Sequence, residues 1–353
     1  MNGSPTKACL GRPWGLATAD NREPGSSVSV LVTGGAGYIG SHMVHALVDR
    51  GEHPVVLDNL CTGVRGLVAE TATFVEGDIA DITLVRELIQ DLGIDAVIHF
   101  AGSVVVPESV ENPLFYYANN TASSRALIEA CVLEGIQNFV FSSTAAVYGT
   151  PETMPVSEDA PTDPINPYGR SKLMTEWMLR DTAQAHDFRY AALRYFNVAG
   201  ADEKGRTGQS TPRATHLIKR ACQASLGRVP SLGIFGTDFP TVDGTGVRDY
   251  IHVMDLIAAH LLALDHLRED GQSIICNAGY GHGFSVREVV RAVERISGQP
   301  LPVEEGPRRA GDPAAIIANS QRLKTTLNWE PEYDDLDMIV RSAYAWESRL
   351  NTA

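Results

Sequence analysis

Val28-Ser29-Val30-Leu31-Val32 runs straight into Thr33-Gly34-Gly35-Ala36-Gly37-Tyr38-Ile39-Gly40, and that junction decides the fold. The apolar run reads as a buried strand. Ile39 to Arg50 reads as a helix that Gly51 ends. Val55-Val56-Leu57 is the next strand, closed by Asp58. Strand, glycine turn, helix and strand make a βαβ unit of the length that binds half a dinucleotide. The turn fits both Gly34-x-x-Gly37-x-x-Gly40 and Gly35-x-Gly37-x-x-Gly40. Such a pattern alone is weak, but a strand before it, a helix after it and an acid about 20 residues on supply its context. The glycines let the backbone approach a pyrophosphate at the positive end of the helix. Asp58 would accept bonds from the adenosine ribose and repel a 2′-phosphate, which favours NAD over NADP. Asp78, in Gly77-Asp78-Ile79, is placed to reach the adenine edge.

Beyond Asp58, strands and helices keep alternating. Ala96 to Phe100, Phe139 to Phe141 and Tyr190 to Tyr195 read as strands. Leu114 to Glu134 and Tyr168 to Ala185 read as helices. Repeated β-then-α order predicts a Rossmann-type α/β fold with a doubly wound parallel sheet. After Asn197 the pattern turns irregular. The expected organisation is a disordered tail at 1–27, a dinucleotide-binding domain at 28–197 and a smaller α/β substrate domain at 198–353, some of whose segments return to the first sheet. The tail is rich in Gly, Pro, Ser and Asn and has no continuous apolar core of a secretory signal.

Composition excludes several classes. The 353 residues carry 43 acids against 29 bases, a net charge of −14, which argues against a nucleic-acid partner. Cys9, Cys61, Cys131, Cys222 and Cys276 form neither a disulfide framework nor a metal motif, so no metal is expected and a reducing cytoplasm is. No apolar run is long enough for a membrane span.

The chemistry is carried by Pro167-Tyr168-Gly169-Arg170-Ser171-Lys172. Tyr168 and Lys172 share a helix face. The expectation is that the Lys172 ammonium lies beside the phenol and favours the phenolate. Lowering a phenol by ~3 units needs roughly 4 kcal/mol. A lysine plus a nicotinium ring in a dry site would supply that. The strand from Asn138 ends in Ser142-Ser143-Thr144, and hydroxyls at a strand's C-terminal end face the ligand crevice in this fold. Thr144 and Tyr168 can then share one substrate hydroxyl. His99 reads as a satisfied core histidine. The Leu173, Met174, Trp177 and Met178 stripe reads as packing.

These residues resemble the extended short-chain dehydrogenase/reductase family, and within it the UDP-hexose 4-epimerase branch. The similarity covers about residues 28–350 and includes His99-Phe100-Ala101-Gly102, Pro107-Glu108-Ser109-Val110, Asn119-Asn120, Leu193-Arg194-Tyr195-Phe196-Asn197, Gly244-Thr245-Gly246-Val247-Arg248-Asp249-Tyr250-Ile251-His252-Val253 and Pro307-Arg308-Arg309-Ala310-Gly311-Asp312. The resemblance implies interconversion of UDP-glucose and UDP-galactose. Tyr168 would take the sugar 4-hydroxyl proton, NAD would hold the C4 hydride transiently, and the keto sugar would turn over before the hydride returns. Catalytic roles fall on Tyr168, Lys172 and Thr144. The resemblance implies cofactor contacts at Gly34, Gly37, Tyr38, Ile39, Gly40, Asp58, Asn59, Asp78, Ile79, Phe100, Ala101, Asn120, Ser142, Tyr168, Lys172 and Tyr195. It implies substrate contacts at Thr144, Tyr168, Asn197, His216, Leu217, Phe235, Arg248, Arg309, Asp312 and Ile316, with Arg308 an alternative to Arg309. It also implies a homodimer through a four-helix interface.

Departures narrow the choice. Thr144 stands where serine is frequent, and Val104 where many members carry lysine. Sugar-nucleotide dehydratases place an Asp-Glu pair after the threonine. Ala145-Ala146 stands here, so no acid is at hand to expel a 6-hydroxyl. UDP-pentoses and UDP-N-acetylhexosamines remain alternative substrates, and Ile316 aligns with a position that gates the N-acetyl group. A non-catalytic NAD-binding sensor is a further alternative, against which both Tyr168 and Lys172 stand.

Overall fold

Strand β1 (Ser29–Thr33) is buried along its whole length, and its side chains divide between two cores. Val30 and Val32 join one apolar cluster, whereas Leu31 joins the other. A strand covered on both faces has no polar alternation, which is why β1 reads as one apolar run. Around it, β2 (His53–Asp58), β3 (Thr73–Glu76), β4 (Ile94–His99), β5 (Asn138–Thr144), β6 (Arg189–Tyr195) and β7 (Ile274–Ala278) form a seven-stranded sheet in the order β7-β6-β5-β4-β1-β2-β3. Every neighbouring pair is parallel. The order reverses between β1 and β4, and ligands bind outside the carboxyl ends of strands at such a switch point. In this computed structural model the described residues are 29–211, 215–309 and 312–350. The expected tail at 1–27 lies outside them, as do Val28 and Gly311.

Helices cover both faces. α1 (Tyr38–Asp49) buries Met43, Val44 and Leu47 in the first cluster. The second takes Leu88 and Ile89 from α2 (Ile82–Asp91), Leu127 and Cys131 from α3 (Ser123–Leu133), and Leu179 from α4 (Pro167–Ala185). Asp81 caps α2, accepting from Thr83 N and Leu84 N at 3.1 Å each. Asn166 caps α4 through Gly169 N at 2.8 Å, with Pro167 supplying a helical φ at the first position. That cap fixes the start of the helix one residue before Tyr168.

The segments that return to the first sheet are now specific. α5 (Val253–Arg268) packs on α1, β5 and β6, and β7 pairs with β6 over Ile274–Ala278 and Ala191–Tyr195. The rest of the irregular half contributes short pairings. Tyr250–His252 runs beside Asn197–Ala199, Val303–Gly306 beside Leu232–Phe235, and Val247–Arg248 lies between Phe284–Ser285 and Ala315–Ile316.

One expected helix differs. The stretch read as a single helix from Leu114 to Glu134 contains a π-helical turn over Tyr117–Ala122 between Pro113–Tyr116 and α3. A π turn adds a residue to the helical period and re-aims the side chains after it. Here it turns Asn120 into the protein, where Asn120 Nδ2 donates to Ser171 Oγ at 3.0 Å.

Candidate active site

The glycine turn brings β1, α1 and the end of β4 into backbone contact. Gly34 adopts φ +70°, and a Cβ there would lie 2.7 Å from Ala101 N. A Cβ on Gly40 would lie 2.2 Å from Gly34 O. Gly37 caps α1 with no side-chain bond, and the first turn of α1 carries no acid. The opening N–H groups of the helix therefore face the crevice unsatisfied, at the positive end of its dipole. Asp58, at the end of β2, braces this turn from below. Its Oδ2 accepts from Ala36 N at 2.9 Å and its Oδ1 from Leu60 N at 2.8 Å. Asn59 Nδ2 donates to Asp78 Oδ2 at 3.0 Å, beside buried Ile79. Tyr38 turns inward and donates to Gly200 O at 2.7 Å, while Ile39 is partly buried on α1. A backbone cradle, free N–H groups and an ordered acid on the next strand suit a dinucleotide pyrophosphate and ribose.

Three strand ends converge next to the turn. Phe100 and Ala101 follow β4, Ser142 and Thr144 end β5, and Tyr195 ends β6. The Ser142 and Tyr195 hydroxyls bond each other. Tyr168 lies against Thr144, and the two opposing effects on its phenol are clear. Burial pushes its pKa above the ordinary tyrosine value, whereas the hydrogen bond to Thr144 pulls it down. Asn120 is taken up by protein: Nδ2 donates to Ser103 O at 3.0 Å as well as to Ser171, and Oδ1 accepts from Ser103 N at 2.8 Å. It shapes the Gly102–Ser103 turn beside Lys172.

The Lys172 ammonium has partners on β5 that its spacing from Tyr168 does not announce. Lys172 Nζ donates to Ser142 O at 3.0 Å and stands 4.9 Å from the Phe141 ring centroid. A strand carbonyl and an aromatic face, both on β5, hold the ammonium from across the interface. Burial lowers Lys172 to about 8, which leaves it mostly charged at neutral pH. The protein alone thus raises the phenol, and the charge that would lower it has to act from the side of Ser142 or come from a bound cationic ring. His99 is the satisfied core histidine expected: Nδ1 pairs with Thr33 Oγ1 at 2.7 Å and Nε2 with Ser124 Oγ at 2.8 Å, and burial lowers it to about 3.

Across the crevice the residues expected on the substrate side fall into two groups. Asn197 bonds the Tyr250 hydroxyl. With His216, Leu217 and Trp346 it lines a cavity against Tyr38. Arg248 and Ile316 are register partners in the small sheet, and Arg248 lies 3.9 Å from Asp312. Ile316 also packs on the cluster of Ala145, Val147, Leu173 and Phe196 beneath Thr144. Phe235 is exposed at a strand end with the Arg309 guanidinium 4.0 Å above its ring. Arg308 points elsewhere, donating to Asp238 at 2.7 Å and stacking on Phe239. Among the described residues Arg309 has no carboxylate partner, so of the two arginines it is the one with charge to spare.

The profile of the NAD dependent epimerase/dehydratase family matches residues 30–279. The chain belongs to that family. A UDP-glucose 4-epimerase of Azospirillum brasilense is 59% identical over 325 residues, covering 92% of this chain and 93% of the relative. A UDP-glucose 4-epimerase from Brucella ovis, solved in complex with NAD, is 47% identical with a TM-score of 0.88, over 90% of this chain and 98% of that one. A UDP-Glc/GlcNAc 4-epimerase from Campylobacter jejuni is also 47% identical, with a TM-score of 0.81 over 92% of this chain and 100% of that one.

Within this epimerase/dehydratase fold, one organiser escaped the sequence reading. Asp249, between Arg248 and Tyr250, is buried and accepts from Tyr280 N and Gly281 N at 3.0 Å each and from Ala318 N at 3.1 Å. It ties the arginine strand to the strand of Ile316. It sits at the junction of the short strands Val247–Arg248 and Tyr250–His252, and its partners lie far along the chain, so no local spacing marks it.

Gly40→Ala should be purified with little or no bound nucleotide, because its Cβ would displace Gly34. The ratio of nucleotide to protein absorbance measures this, and full nucleotide content would contradict the cradle.

Proposed function

We propose that this chain catalyses the NAD-dependent interconversion of UDP-glucose and UDP-galactose, and the observation that carries this is Thr144 and Tyr168 meeting at the switch point beside the glycine cradle. The chemistry that a bound NAD supplies is reversible acceptance of the C4 hydride. The chain's own residues do the rest. Gly34, Gly37 and Gly40, with the opening N–H groups of α1, would hold the pyrophosphate. Asp58 and Asn59 would hold the adenosine ribose, and Asp78 with Ile79 would border the adenine. Phe100, Ala101, Ser142 and Tyr195 would line the nicotinamide end, with Asn120 holding the turn beneath. Thr144 orients the sugar 4-hydroxyl and Tyr168 removes and returns its proton. Lys172 supplies positive charge from the β5 side. Residues 29–197 with α5 and β7 hold the cofactor, and the remaining half holds the UDP-sugar.

Epimerisation asks for a fixed nucleotide and a loosely held sugar. Arg248 and Arg309 suit the diphosphate, because a guanidinium fork binds two phosphate oxygens at once. Asn197, His216, Leu217 and Phe235 would border the uridine and diphosphate, and Asp312 steadies Arg248. Ala145 and Ala146 follow Thr144 in a tight turn, so no acid stands there for elimination.

Incubation with UDP-galactose and no added cofactor should yield UDP-glucose. Tyr168→Phe should keep its bound NAD and lose ~10²–10⁴-fold in rate, the usual contribution of a general base. Near-normal turnover in that variant would remove Tyr168 from its role.

A second substrate reading rests on Ile316. It is partly buried at the edge of the cluster beneath Thr144, is smaller than an aromatic and is stiff at Cβ. Main activity on the hexose pair with side activity on the N-acetyl sugars follows. Ile316→Tyr should suppress the side activity selectively, and an unchanged ratio of the two activities would show that Ile316 is not the gate.

A homodimer is the third element. Val106, Val110, Leu114, Phe115 and Trp177 are exposed on helices that pack together, Val106–Glu111, Pro113–Tyr116 and α4. Apolar residues grouped this way mark an association surface. Trp177→Glu should convert a dimer to a monomer in sedimentation equilibrium, and an unaltered mass would place the interface elsewhere.

A further inference from the structure

α4 carries three polar side chains one turn apart on a single face: Tyr168, Lys172 and Glu176. Lys172 and Glu176 are both buried, at 4% and 2% exposure, and i, i+4 spacing would let them pair. They do not. Among the described residues no ion pair joins Lys172 to any carboxylate. Glu176 is taken instead by Arg194 of β6, whose Nε donates to Oε1 at 2.9 Å and whose second nitrogen donates to Oε2 at 2.6 Å. Ser143 Oγ donates to the same carboxylate. The remaining arm of Arg194 donates to the Tyr148 hydroxyl at 2.9 Å, which donates to Asn277 Oδ1 at 2.7 Å.

We propose that Arg194 and Glu176 are positioning residues for the reaction: by filling both carboxylate oxygens of Glu176, Arg194 keeps the Lys172 ammonium on Ser142, with its charge available to the Tyr168 phenol. This rests on the assignment of Tyr168 as the base. Without Arg194, the Glu176 carboxylate has Lys172 one turn before it and Arg180 one turn after it; Arg180 is exposed and pairs with Asp181, so Lys172 is the buried one of the two. Lys172 drawn onto it would stay protonated, but its field at the phenol would be cancelled. The mutual arrangement also explains why an acid four residues beyond the lysine is tolerated at all.

Other ionisable groups near this face are accounted for. His99 of β4 is neutral and bonded on both nitrogens. Tyr116 of Pro113–Tyr116 bonds Glu108 of Val106–Glu111 at 2.8 Å. Tyr195 and Tyr190 of β6 and Cys131 of α3 are held neutral by burial. None of them supplies a positive charge to replace Lys172.

The test is the pH dependence of kcat/KM for UDP-galactose in the holoenzyme, compared among wild type, Arg194→Met and Arg194→Met combined with Glu176→Gln. The single variant should raise the acid-limb pKa by about 1 unit, the scale of losing a close opposite charge. The double variant should return the limb to its wild-type position even where its melting temperature stays low, because the freed carboxylate is gone. Should Arg194→Met fail to fold, Arg194→Lys, which cannot grip both oxygens and Tyr148 together, should show the same shift on a smaller scale. A limb that stays in place in the single variant, or stays shifted in the double, overturns the proposal and leaves the pair as packing alone. A wild type that does not convert UDP-galactose overturns the function itself, a result distinct from an active wild type with an unmoved limb.

Discussion

The contact between Gly40 and Gly34 sets the frame for everything else. A Cβ on Gly40 would fall 2.2 Å from Gly34 O, so α1 reaches β1 at a distance only glycine permits. That approach aims the unsatisfied N–H groups of α1 along the carboxyl edge of the sheet. It also brings Ala101, Ser142 and Tyr195 to the same edge, because β4, β5 and β6 are in register with β1 through parallel pairing. The cofactor cradle and the proton-transfer residues are thus consequences of one packing distance.

The catalytic end is governed by a conflict between burial and charge. Tyr168 and Lys172 both sit out of water. Burial raises the phenol and lowers the ammonium to about 8, which moves both away from the ionised pair that catalysis needs. A bound positively charged ring resolves the conflict, since it favours the phenolate without another buried side-chain cation. Under the proposed function the protein would then need only Thr144 for orientation and Lys172, anchored on Ser142 O, for a steady field. On the opposite wall, Arg248 and Ile316 share one register, so under the proposed function the diphosphate grip and the sugar clearance would be set by the same short sheet.

Local patterns made much of this legible. The glycine turn, Asp58 and the Tyr168–Lys172 spacing each lie within one or two elements, where periodicity and geometry leave few alternatives. What stayed hidden depends on contacts between distant elements. Lys172 reaches Ser142 O and the Phe141 ring on β5, 30 residues back along the chain. The π turn at Tyr117–Ala122 breaks a helical period that the sequence otherwise keeps. That some segment beyond residue 198 returns to the first sheet is expected from the sequence, but only the pairing with β6 identifies it as Ile274–Ala278. The bonds from Asp249 to Tyr280, Gly281 and Ala318 span 31 to 69 residues, too far for any spacing rule.

The central claim is that the C4 hydrogen leaves the sugar and returns to it without meeting solvent. UDP-galactose carrying deuterium at C4, mixed with unlabelled substrate of distinguishable mass and turned over in ordinary water, tests this directly by mass spectrometry of the UDP-glucose formed. The account predicts full retention of the label at C4 with no transfer to the unlabelled molecules. Loss of deuterium to water would contradict it.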